Sequence, residues 1–196
     1  MKTRLIACAA FATTIALVTA PANAQKLTEQ EKKDGFESLF NGKEFTGWRF
    51  NTGKGDNWEV KENLLVLKGG SEHLATEKEY GDFTIRFEWR AEKKGYDSGF
   101  YIRSGKSVGA NQIQLGQGGE GSLGGVQGAK AVPKMHKPAG EWNEWEVTCA
   151  ADKVTFSVNG EKAWEGTGLK PARGYFGIQA EGHHIDFRNF RIKELK

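Results

Sequence analysis

The sequence predicts an all-β fold, a two-sheet antiparallel sandwich of jelly-roll type, and three observations predict it. Apolar and polar residues alternate along one stretch after another. The clearest is Phe83, Ile85, Phe87 and Trp89 against Thr84, Arg86, Glu88 and Arg90, the period of a strand with one buried and one open face. Turn chemistry punctuates the chain: 26 Gly stand against 4 Pro, with Asn-Gly pairs at 41–42 and 159–160, which suits a dozen or so short strands joined by tight turns. Finally, 6 Trp and 12 Phe supply an aromatic core, and no segment shows a reliable helical period.

The N-terminus reads separately. Lys2 and Arg4 precede an apolar run from Leu5 to Val18, followed by Ala22-Asn23-Ala24, the layout of a secretory signal peptide with an A-x-A site. Residues 1–24 are therefore expected to be removed and the protein exported, to the periplasm or out of the cell. Cleavage takes Cys8 and leaves Cys149 alone, so no intramolecular disulfide forms. Cys149 alternates inward with Trp145 and Val147 and belongs to the core. Cleavage also takes two of the 28 Lys+Arg and none of the 25 Asp+Glu, leaving a net charge of 26 − 25 = +1. Such a balance offers no field for nucleic acid or an anionic membrane. No other apolar run is long enough to span a bilayer.

Residues 25–35 are charged, with only Leu27 as an apolar anchor, and read as a linker or as one short helix capped by Thr28. The sandwich domain is expected over 36–196. Phe36 to Trp48 reads as strand, Asn41-Gly42 turn and strand. Trp58 to Val60 and Leu64 to Leu67 form a hairpin about Lys61-Glu62-Asn63, and Leu74 to Thr76 is a short strand. Asp82 to Arg103 reads as two strands joined by a turn, with Phe100 and Ile102 continuing the apolar face. Asn111 to Leu115 is a strand with Ile113 and Leu115 inward and Gln112 and Gln114 outward. Gly116 to Gly128 matches G-x-G-x-x-G at Gly116, Gly118 and Gly121, but no amphipathic helix follows to cap a pyrophosphate, so it reads as a rim or lid loop. Trp145 to Cys149 is a strand, Val154 to Trp164 a hairpin about Asn159-Gly160, and Gly174 to Ala180 another strand. In the last strand the apolar phase runs Ile185, Phe187, then Phe190, Ile192, a slip that a β-bulge near Arg188-Asn189 accounts for.

Several motifs in order, FESLFNGKEFTGW, LATEKEYGDFTIRFEWR, YDSGFYIR, PAGEWNEWEV, FSVNG and GYFGIQAEGHHIDFRNFRIKEL, resemble the 3-keto-disaccharide hydrolase domain family over nearly the whole mature chain. The resemblance implies a concanavalin-like β-sandwich acting on glycosides whose sugar carries a ketone at C3. That ketone acidifies the C2 hydrogen, so a base can remove it, the C1 oxygen can leave, and water can add to the product. Such chemistry needs a base, a donor to the leaving oxygen and a hydrogen-bonding or cationic group for the enolate. The family pattern E-x-Q-I-x-D around the central Gln-Ile is not kept. Ala110 stands before Gln112-Ile113 and Leu115-Gly116 after it, so both carboxylates are missing.

Glu181, in the matching motif beside Gly182, is the general-base candidate, with Gln179 on the same strand face. Arg103 offers five fixed donors to a sugar hydroxyl or an enolate, and a pairing with Glu88 across its hairpin is an equal reading that can hold at the same time. His136 is a loop candidate for an acid. Glu88, Gln112, Gln114, Tyr101 and Trp142 are candidates for binding the sugar, although Trp48, Trp58 and Trp142 read first as core. His73, His183 and His184 have no Cys or acidic partners at metal-ligand spacing, so neither a metal nor a cofactor is expected. Three functions remain open: an exported hydrolase or lyase on 3-keto-glycosides, a carbohydrate-binding module that has kept the fold without the acids, and, behind these two, an interaction domain without sugar affinity.

Overall fold

A computed structural model describes residues 27–196; the expected signal peptide lies outside the described residues. The strands form two antiparallel sheets. The larger contains, in spatial order, β11 (Glu161–Gly166), β10 (Lys153–Val158), β9 (Asn143–Ala150), β6 (Phe83–Ala91), β13 (His184–Glu194), β4 (Leu64–Lys68) and β3 (Trp58–Lys61), with β1 (Glu37–Ser38) also on β13. The smaller contains β2 (Trp48–Phe50), β5 (Leu74–Thr76), β12 (Tyr175–Ile178), β7 (Gly99–Ser104) and β8 (Gln112–Gln114). Inward-facing rings from the two sheets meet between them: Phe87 lies 4.5 Å from Phe100, and Phe83 lies 4.7 Å from Phe176, centroid to centroid. Cys149 is fully buried among them, and burial pushes its thiol up to about 12.

Hairpin chemistry closes where the sequence places it. Glu62 and Asn63 (φ 52° and 63°) turn β3 into β4, and Asn159 and Gly160 (φ 51° and 83°) turn β10 into β11; two consecutive positive-φ residues are what a type I′ turn requires. The slip in β13 is also real. Its ladder with β6 shifts between Arg188 and Arg191, Asn189 takes φ 56°, and both Phe187 and Phe190 thereby point into the core.

Two expected hairpins are instead crossings between sheets. β6 pairs with β9 and β13, whereas β7 pairs with β12 and β8, so Asp82 to Arg103 carries the chain from one sheet to the other. The segment around Asn41-Gly42 does the same, joining β1 of the larger sheet to β2 of the smaller. Alternation specifies which face of each strand is buried, and two strands facing each other across a core satisfy it as well as two side by side.

The lead-in is a docked helix, α1 (Glu29–Lys33), and not a linker. Thr28 accepts from the Glu31 backbone N–H while the Glu31 carboxylate accepts from the Thr28 backbone N–H, a reciprocal capping box. Glu31 then reaches the larger sheet, with Oε1 2.7 Å from Arg191 Nε. That nitrogen has no directed hydrogen bond, so the contact is an ion pair lying off the N–H line.

Candidate functional site

Each sheet has one face turned away from the core, and the two faces are built differently. On the larger sheet the charged row of β6 is fully engaged. Arg86 pairs with Glu146, Arg188 Nη2 lies 2.7 Å from Glu88, Arg90 lies 2.6 Å from Asp186, and Arg191 lies 2.8 Å from Glu144. Asn189 also donates to Glu88. Trp142 sits on this face, half-buried, with the guanidinium carbons of Arg188 and Arg90 at 3.9 and 4.7 Å from its ring centroid. It is therefore neither core nor a bare platform, because both charges already cover its π-surface. Glu88 likewise has its oxygens taken by Arg188 and Asn189. The sequence missed this because β13, which supplies those partners, lies about 100 residues away along the chain.

On the smaller sheet the outward face carries a hydrogen-bonded row across β8 and the end of β12. Gln112 is its hub: its amide nitrogen donates to Gln114 Oε1 at 2.8 Å and to Gln179 Oε1 at 2.6 Å. Gln114 passes the polarity on by donating to Asp97 Oδ1 at 2.9 Å, and Gln179 by donating to Glu181 Oε1 at 2.6 Å. A carboxylate can only accept, so the ion at each end fixes the orientation of every amide between. What remains for a ligand alternates: the second N–H of Gln114 and of Gln179, the carbonyl of Gln112, and the outer oxygens of Asp97 and Glu181. A sugar hydroxyl is both donor and acceptor and suits such a row.

The floor is made by missing side chains. A Cβ on Gly99 would lie 2.1 Å from Gln112 Nε2, and one on Gly116 would lie 2.3 Å from Asp97 Oδ1. Asp97 thus occupies the space that a side chain at 116 would take. Leu115 is fully buried in the core. A carboxylate at this end of the row comes from the loop before β7, which the expectation of a missing acidic pair had not considered.

Tyr101 and His73 stand on the same face. Their ring centroids are 5.8 Å apart, and the Tyr101 ring packs with Val108 and Ala75. The Ala180 N–H donates to His73 Nδ1 at 3.2 Å. Burial pushes the His73 imidazole below its ordinary value, against the pull of Glu181 and Glu72; burial and then Glu181 push the Tyr101 hydroxyl up. A shallow groove lined by Tyr96, Asp97, Gln114, Gly116, Gln117 and His183 continues from the Asp97 end of the row. The glycine-rich loop bordering it is pinned: Glu120, itself buried, accepts from Tyr96 at 2.6 Å and from the Gly118 N–H at 2.7 Å, so the loop is a fixed rim.

Gln112, Gln114, Gln179, Glu181 and Tyr101 are thus brought together, while Arg103 and His136 are not. Arg103 is fully buried and donates to Gly81 O, Ala151 O and Asp82 Oδ1. It clamps the start of β6 and the β9–β10 turn, and has no edge left for a ligand. Neither does it meet Glu88, which lies on the other sheet. His136 accepts from Trp145 Nε1 at 2.8 Å and donates from Nδ1 to Val132 O at 3.1 Å. Both ring nitrogens are committed to these partners, so neither is free for a substrate, and burial keeps the ring below its ordinary value. Asp97 and His73 are the residues that sequence reasoning missed. Asp97 lay inside a matching motif, read only as a turn; for His73 the alternation into β5 was the available signal. Among the described residues no three His, Cys, Asp or Glu side chains converge as a metal cage.

Comparison with known proteins agrees with this architecture. A family model described as the 3-keto-alpha-glucoside-1,2-lyase-like domain matches residues 35–193. A curated relative from Bacteroides thetaiotaomicron, a 3-keto-disaccharide hydrolase, is 23% identical over 83% of this chain and 79% of its own. A crystal structure from Parabacteroides distasonis, of a protein assigned as a glycosyl hydrolase, aligns at 25% identity with TM-score 0.72, covering 89% of this chain and 100% of that one. A Bacillus licheniformis β-glucanase, at 13% identity and TM-score 0.56 over 83% of this chain and 99% of its own, shares the jelly-roll fold.

Proposed function

We propose, for a chain that belongs to the 3-keto-alpha-glucoside-1,2-lyase-like domain family, that the outward face of the five-stranded sheet binds and cleaves glycosides bearing a ketone at C3. The observation that carries this reading is the row from Asp97 through Gln114, Gln112 and Gln179 to Glu181. It offers alternating donors and acceptors over a glycine floor, with an exposed carboxylate beside the rings of His73 and Tyr101. In this reading the amides hold the sugar hydroxyls, and Glu181 removes the C2 proton that the ketone has acidified. The C1 oxygen leaves by elimination, and water adds across the resulting double bond. Asp97 anchors the other end of the row and faces the groove, which leaves room for the departing group. A positioned base contributes about 10²- to 10⁴-fold in rate. Export fits the reading of residues 1–24 as a signal peptide; N-terminal sequencing of the exported protein is expected to begin at Gln25, and a start at Met1 contradicts it.

The test is incubation of the purified protein with 3-keto-trehalose or a 3-keto-glucoside while free sugar is followed. Release of sugar, lost in Glu181→Gln, is the expected result. Binding without turnover would retire catalysis and leave the carbohydrate-binding module.

A further inference from the structure

The geometry points to His73 as the catalytic electrophile of this site, a neutral imidazole whose Nε2–H donates a hydrogen bond to the C3 oxygen as the enolate forms. This rests on the keto-glycoside reading above and adds to it the group that stabilises the developing charge. The tautomer follows from the backbone. The Ala180 N–H points at Nδ1, so Nδ1 must present its lone pair, and in a neutral ring the proton then sits on Nε2. Among the described residues nothing accepts that proton, whereas both nitrogens of His136 are committed. His73 is also well placed by the chain. It immediately precedes β5, whose Leu74 pairs with Ile178 of β12, and its partner Ala180 lies between Gln179 and Glu181. The base and the donor are therefore held by one stretch of backbone. Burial disfavours the imidazolium, with Glu181 and Glu72 pulling the other way, and the ring stays below its ordinary value. The other titratable ring beside it, Tyr101, has its hydroxyl pushed up and does not compete as an anion.

The step balances without any further reactant. The Glu181 carboxylate takes the C2 proton, and the C–H electron pair becomes a C2=C3 bond while the C3 oxygen takes the negative charge. His73 shares its Nε2 proton with that oxygen and keeps it. The enolate then re-forms the ketone, the electron pair moves to C1=C2, and the C1–O bond breaks. The leaving oxygen takes the proton back from the Glu181 carboxylic acid. A preorganised donor of this kind is worth about 10²- to 10³-fold.

Two readouts separate this role from a merely structural one. The first is kcat and KM on a 3-keto-glucoside for His73→Phe and His73→Gln. The second is wash-in of solvent deuterium at C2 of 1-deoxy-3-keto-glucose, which has no glycosidic leaving group at C1 and so reports enolate formation without glycoside cleavage. Expected are a drop of about 100-fold in kcat for His73→Phe with KM within about threefold, partial recovery in His73→Gln, which keeps a neutral N–H donor, and a parallel loss of deuterium wash-in. Wild-type exchange rates in His73→Phe would overturn the inference while leaving the keto-glycoside reading standing. Absence of both turnover and exchange in the wild-type protein would overturn both.

Discussion

The outward faces of the two sheets are both polar, but their polar groups are spent differently. On the larger sheet Arg86, Glu88, Arg90, Arg188 and Arg191 are matched by opposite charges from neighbouring strands, and Trp142 is covered by two guanidinium groups. On the smaller sheet three amides run between two carboxylates, and each amide keeps a donor or an acceptor facing outward. Density of charge is therefore a poor guide to a site. Ion pairs neutralise one another and saturate their hydrogen bonds, whereas a row of amides ending in anions has its orientation fixed and its outer valences free.

The largest effect expected on the smaller sheet is that of Glu181→Gln, a loss of about 100-fold or more in turnover of a 3-keto-glucoside with the melting temperature nearly unchanged. Steady-state kinetics beside a thermal melt would check it; full activity would remove the base from this face. Next comes Arg103→Met, which leaves the carbonyls of Gly81 and Ala151 and the Asp82 carboxylate without their shared partner. It is expected to cost about 3–5 kcal/mol in denaturant unfolding, with KM unchanged in the protein that remains folded. A rise in KM alone would return Arg103 to the ligand.

Gln112→Ala removes the hub while leaving both carboxylates, and about a tenfold weaker binding of the sugar is expected by calorimetry, equivalent to about 1.4 kcal/mol. On the larger sheet Arg188→Ala breaks the pair with Glu88 and removes one of the two guanidinium groups over the Trp142 ring. A stability loss of about 1 kcal/mol and no change in kcat/KM are expected. The smallest effect is at α1. Burial raises the Glu31 carboxyl, but the Thr28 N–H, Arg191, the Thr28 hydroxyl and Arg86 together lower it further, and it sits below its ordinary value. Its contribution is present above the unfolded value and is lost as pH falls through the folded one. Protease cleavage near Lys32-Lys33 is expected to accelerate as pH falls below the ordinary Glu value of about 4.3, with the sandwich still folded.

Much of the fold was legible because alternation and turn residues are local. The β10–β11 hairpin, the inward Ile113 with outward Gln112 and Gln114, and the β13 bulge all follow from a few neighbouring side chains. Which strands lie side by side was not legible. Phe87 and Phe100 face each other across the core as readily as they would share a hairpin face, and a single sequence does not separate these. The same limit governs the site. Gln112, Gln114, Gln179 and Glu181 are recognisable as outward polar residues, but that they form one row depends on the order β12-β7-β8. Arg103 shows the converse, since its place on a strand did not reveal the backbone carbonyls of Gly81 and Ala151 that claim it.

A crystal structure of the Glu181→Gln variant with a bound 3-keto-glucoside tests the contrast between the faces most directly. The sugar ring is expected over Gln112 and Gln179, with its C2 toward residue 181 and its C3 oxygen toward His73. A ring bound instead on the larger sheet, stacked on Trp142 with Glu88 at its hydroxyls, would contradict it.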